Sequence, residues 1–117
     1  MRLKKAAMLL SSAILLYADA VTCEIQDERI YCTYTLARSD GQHEKQVAFH
    51  WISPRSPEDD RIRHFRIPPG YGSVYDYRFV PGRVTGRWRV RVTDLESNAT
   101  AETFFDLNSS DDSIFEE

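Results

Sequence analysis

Apolar and polar residues alternate with a period of two in one segment after another, and no long stretch carries the apolar spacing of an amphipathic helix. From Arg29 to Arg38, Ile30, Cys32, Tyr34 and Leu36 share one face. Tyr31, Thr33 and Thr35 share the other, the alternation of a half-buried antiparallel strand. A strand near Lys45 to Ser53 groups Val47, Phe49 and Trp51, the chain can extend again from Arg61 to Ile67, and Tyr75, Tyr77 and Phe79 alternate in the strand that follows. Gly86 to Asp94 has the clearest pattern. Trp88, Val90 and Val92 point one way while Arg87, Arg89 and Arg91 point the other, and Ala101 to Leu107 supplies a last strand with Phe105 and Leu107 inward. Turn chemistry separates these segments: Ser39-Asp40-Gly41-Gln42, Pro54 to Asp60 with two prolines and three acids, Pro68-Pro69-Gly70, Pro81-Gly82 and Asp94 to Asn98. With Val21 to Gln26 added, about seven strands result. Two packed antiparallel sheets bury one face of each, so the expected fold is an all-β, immunoglobulin-like β-sandwich.

The first twenty residues read differently. A basic start, Met1 to Lys5, precedes an apolar run from Ala6 to Tyr17, and Ala18-Asp19-Ala20 fits small-x-small cleavage. The run is about a dozen residues, short of the roughly 20 that a spanning helix needs. A cleavable signal peptide over 1–20 is therefore expected, with a secreted or periplasmic product and no transmembrane segment in the mature chain. Removing twenty of the 117 residues leaves 97, enough for one modest core and too few for a deep two-domain cleft. Beyond residue 107 the acids and serines cannot offset ordering entropy, so 108–117 is expected to be a disordered acidic tail.

Export also changes the charge, because the leader carries three cations and one carboxylate, and the formal −3 of the whole chain becomes −5. The remaining charge is uneven. Between Arg55 and Arg91 stand nine arginines against four acids, whereas Asp106 to Glu117 holds five acids and no base. Such an arginine bias suits a binding face, since guanidinium makes planar two-point contacts with anions and stacks on rings.

In an exported chain two cysteines argue for a disulfide. If Glu24 to Tyr31 forms a hairpin about Asp27-Glu28, cross-strand partners have numbers summing to 55, and Cys23 faces Cys32 within bonding reach. The turn lacks the Gly or Asn that two-residue hairpins prefer. Metal binding by these thiols is disfavoured without a second ligand pair.

Catalytic signals are sparse. His43, His50 and His64 come with no nucleophile elbow and no free Cys, Pro69-Gly70-Tyr71-Gly72 is too short and stiff to cradle phosphate, and no cofactor or metal site is indicated. More suggestive are Arg61, Arg63 and Arg66, Arg87, Arg89 and Arg91, and Tyr75 and Tyr77 between the two groups. If those strands share a sheet, they form a cationic surface with aromatic rings nearby.

Gly86-Arg-Trp88-Arg-Val90-Arg-Val92-Thr-Asp94, followed by Phe105-Asp-Leu107, resembles the end of a small bacterial β domain of unknown function found in exported or envelope-attached proteins. An early Cys strand, an aromatic strand ending at Trp51 and an Arg-containing strand at Arg61 to Ile67 match its order. The family pattern tends to place His two residues before its Trp, where this chain has Phe49. The resemblance implies a β-sandwich at the envelope and no known activity. A non-enzymatic interaction domain is thus expected, binding a protein or an anionic envelope polymer through the Arg87/Arg89/Arg91 face; export and net acidity argue against nucleic acid. The alternatives are a secreted inhibitor or accessory subunit acting through Pro54 to Asp60 or Pro68 to Ser73, and then a small hydrolase or metal-binding protein.

Overall fold

The computed structural model describes residues 19–37 and 43–108, so the signal segment, the Ser39 to Gln42 turn and the acidic tail lie outside the described residues, apart from Asp19, Ala20 and Asn108. Seven strands follow in order: β1 (Ala20–Gln26), β2 (Arg29–Thr35), β3 (Lys45–Ile52), β4 (Arg61–Ile67), β5 (Ser73–Phe79), β6 (Gly86–Asp94) and β7 (Thr100–Leu107). They build a three-stranded sheet ordered β1-β2-β5 and a four-stranded sheet ordered β4-β3-β6-β7, every pairing antiparallel. At one side of the sandwich β1 packs over β7, and at the other β5 faces β4. In the constant-type immunoglobulin arrangement the fourth strand joins the sheet of strands one, two and five. Here it lies beside the third, in the opposite sheet of a two-sheet antiparallel sandwich.

Period-two burial builds the core. Val21, Ile30, Cys32 and Tyr34 from the smaller sheet meet Val47, Phe49, Trp51, Trp88, Val90 and Val92 from the larger, all buried. Phe105 fills the space between the two indoles, stacked on Trp88 with ring centres 6.0 Å apart and edge-on to Trp51 at 6.2 Å.

The hairpin register has Ala20 opposite Thr35 and Cys23 opposite Cys32, with the disulfide formed and the two Cα atoms 4.1 Å apart. Asp27 supplies the turn with φ 57°, a left-handed conformation that Asp tolerates better than most residues, which is how a Gly-free turn closes the loop. The bridge clamps two strands of one sheet and leaves the sheets themselves unlinked.

One strand inverts the ordinary pattern. In β5 the rings of Tyr75, Tyr77 and Phe79 face outward, while Asp76 and Arg78 turn inward and are buried. That inversion places charge between the sheets at their β4/β5 side.

Candidate functional site

Register decides where each arginine points. Opposite Trp51 and Phe49 on β3 stand Arg61 and Arg63 of β4, so both project on the core side of the larger sheet, toward β5. Arg66 projects the other way and lies 3.8 Å from Glu44. On β6, Val90 is opposite Trp51, which sends Arg87, Arg89 and Arg91 to the outer face as their alternation implies. The strands of the two arginine groups do share a sheet, separated by β3. They do not form one cationic surface, because Arg61 and Arg63 leave by the opposite face, and Tyr75 and Tyr77 belong to the other sheet.

The outer face of the larger sheet interleaves charge. Arg87 is opposite Asp106 with its guanidinium 5.0 Å from the centre of the Phe104 ring, Arg89 lies between Ile52 and Phe104, and Arg91 lies between His50 and Glu102. His50 and His64 sit on neighbouring strands of this face, and among the described residues no three metal-ligating side chains gather.

A different site forms where β4 and β5 face each other. A groove of about 550 Å³ is lined by Arg61, Arg63 and Phe65 from β4, by Tyr75 to Phe79 from β5, and by Pro81 and Arg83 from the following loop. Its floor is Asp76, only 3 % exposed. Trp51 Nε1 and Arg61 Nη2 each donate to Asp76 Oδ2 at 2.9 Å, the backbone N–H of Tyr77 donates to Oδ1 at 2.9 Å, and Arg63 Nη1 stands 3.8 Å from Oδ1. A carboxylate this buried is tolerated because its oxygens are met by charged and neutral donors.

Asp59 organises a second cluster. The 3₁₀ turn Pro57–Asp59 delivers its carboxylate to Arg78 Nη2 at 3.1 Å, to the Val84 N–H at 3.0 Å and within 3.3 Å of Arg83 Nε, while its carbonyl accepts from Arg78 Nη1 at 2.7 Å. Arg78 also lies over the rings of Trp51 and Trp88, with its guanidinium carbon 5.7 and 5.5 Å from their centres. Burial, with the Arg83 charge adding to it, lowers the Arg78 pKa from its ordinary value although Asp59 opposes the shift. The loop from Pro54 to Asp60 is therefore tied into the sandwich: Asp60 Oδ1 accepts from the Ser53 N–H at 2.7 Å, and Arg55 Nη2 donates to the Thr85 carbonyl at 2.7 Å.

Two arginine pairs thus stand on two carboxylates, each trio retaining one net positive charge. On the groove walls, Arg61 Nε and Arg78 Nε are buried without a hydrogen-bond partner. Aromatic rings continue outward from the rim. Tyr31 packs on Tyr75 and Tyr77 with centres 5.8 and 5.7 Å apart, Phe79 packs edge-on to Tyr77 at 5.7 Å, and Arg29 lies over Tyr77 and Phe79. Tyr75 is 56 % and Phe79 49 % exposed.

Of the residues singled out from sequence, the groove unites Arg61, Arg63, Tyr75 and Tyr77; Arg66, Arg87, Arg89 and Arg91 lie elsewhere. Arg78, Arg83, Asp76 and Asp59 are additional. Comparison with protein-family models, with curated proteins and with solved structures returns no match.

Proposed function

We propose that this chain is an exported, non-enzymatic interaction domain that binds an anionic partner, a protein or an envelope polymer, in the groove between β4 and β5. The observation that carries this reading is the pairing of four guanidinium groups with two carboxylates beneath an exposed aromatic rim. Guanidinium groups already held by Asp76 and Asp59 lose little side-chain freedom when a ligand anion arrives, and the rim supplies the Tyr and Arg chemistry of interaction hot spots. The leader-like residues 1–20, the disulfide and the resemblance of Gly86 to Leu107 to an envelope β domain support the exported setting. The outer Arg87/Arg89/Arg91 face is the less favourable candidate because Asp106 and Glu102 stand opposite two of its cations.

Pull-down and crosslinking from the native envelope test this directly. A tagged chain carrying Arg63→Ser and Tyr75→Ser, both at exposed positions, loses capture, and Arg87→Ser/Arg89→Ser/Arg91→Ser retains it. The reverse pattern overturns the groove as the site.

A further inference from the structure

We infer that the groove's ligand is an acidic polysaccharide, a chain of sugar rings bearing carboxylates. The inference rests on the groove being the binding site and names the chemistry it selects. Three features carry it.

The first is charge. Arg61 with Arg63, and Arg78 with Arg83, leave two centres of net positive charge along one open groove. Repeated carboxylates on an extended chain match this arrangement, and half-exposed Arg63 can offer one of them a two-point contact, while Arg78 keeps both Nη groups on Asp59. The volume of about 550 Å³ falls within the ~300–1,000 Å³ of small-ligand sites.

The rim is the second feature. Tyr75, Tyr77 and Phe79 project from one side of a strand and pack through Tyr31 and through the Tyr77–Phe79 edge contact, so their orientation is set before a ligand arrives. Rigid, half-exposed rings offer apolar surface at low entropic cost to the C–H face of a sugar, and the Tyr hydroxyls meet its hydroxyl groups. Charge alone would not call for this row of rings.

The third feature is the state of the strand edge. An extended peptide usually binds beside a sheet by pairing its backbone with an open edge strand. On β5 that pairing is blocked at Tyr77: the carbonyl accepts from Arg61 Nη2 at 2.9 Å and the N–H donates to Asp76 Oδ1 at 2.9 Å. A ligand recognised by its anions and ring faces suits a capped edge better than one recognised by its backbone.

Titration of the purified chain, disulfide oxidised, with an oligogalacturonate, its methyl ester and poly-glutamate tests the inference. The oligogalacturonate binds; the methyl ester, with the same rings and no charge, binds at least tenfold more weakly; Arg63→Ser and Tyr75→Ser each weaken binding by tenfold or more with unchanged circular dichroism. Poly-glutamate binds more weakly and is indifferent to Tyr75→Ser. Poly-glutamate binding as tightly as the sugar, or no binding of the oligogalacturonate, overturns the polysaccharide inference, while the native-envelope capture still reports on the groove. Failure of that capture to respond to Arg63→Ser and Tyr75→Ser removes the groove itself.

Discussion

Trp51 Nε1 donates to Asp76 Oδ2 at 2.9 Å, a buried hydrogen bond that joins the centre of one sheet to the edge strand of the other. The same oxygen accepts from Arg61, so a single carboxylate locks the sheets together and positions the groove's cations. Removing it tests both roles. Asp76→Ala leaves the indole N–H and Arg61 without their partner and is expected to cost about 3 kcal/mol. Asp76→Asn, which keeps an acceptor for the indole, costs less. Urea unfolding of the two variants ranks them; equal losses would mean the carboxylate charge carries the whole effect.

The disulfide is a separate element of stability. Replacing Cys23 and Cys32 together by Ser frees a ten-residue loop and is expected to lower the unfolding free energy by about 3 kcal/mol on the chain-entropy account. Because the bridge lies inside one sheet, the register between sheets survives its loss. Near-ultraviolet circular dichroism from Trp51 and Trp88 should therefore persist in the double variant below its lowered midpoint.

Gly86 opens β6 with φ +130°, and a Cβ built there would come within 2.8 Å of Pro54 Cγ. Gly86→Ala meets both a backbone penalty and a clash with a stiff ring, an expected loss of about 2 kcal/mol. Pro54→Ala in that background removes the Cγ clash and recovers most of the steric part, leaving the backbone penalty. Thermal unfolding of the single and double variants separates the contributions.

Acid lowers stability through two groups acting in the same direction. Burial, then the charges of Arg91 and Arg89, hold His50 below its ordinary value, with Asp60 opposing them. Its neutral form is favoured in the fold, so its contribution is complete above about pH 6.5 and is lost as pH falls through the lowered folded value. Burial pushes Asp94 up, but the Lys45 ammonium at 2.9 Å and the Glu96 and Ser97 N–H groups outweigh it and leave the carboxyl below its ordinary value. Its contribution is present above about pH 4 and is lost at lower pH. Unfolding free energy measured from about pH 8 to 3 should fall in two stages. His50→Gln removes the upper stage and Lys45→Met flattens the lower one.

The strand positions and the disulfide were legible because both follow local rules, whereas the order of strands within each sheet was not: alternation in β2, β3 and β6 marked the core faces, and the hairpin sum placed Cys23 opposite Cys32. The groove was not legible, for a physical reason. Asp76 and Arg78 alternate with three aromatic residues, so the polar set looks like the solvent face of β5 and the rings look like core. Only the neighbouring edge of β4, where Arg61 stands opposite Trp51, makes the reverse orientation favourable, and that pairing joins segments whose register no sequence pattern announces. Arg87, Arg89 and Arg91 carried the stronger signal because a buried Trp-Val-Val stripe fixes their direction within a single strand.

The Cys23–Cys32 bridge spans nine positions of chain, and its thiols meet as soon as one hairpin closes. Hairpins of this size form in about 1–10 μs, long before distant strands find one another. Were the chain exported N-terminus first into an oxidising space, as proposed, this hairpin would be the first element available for covalent fixing. Assembly would then acquire a direction, from the N-terminal hairpin toward the last strand, with the later strands adding to a template held by its own bridge.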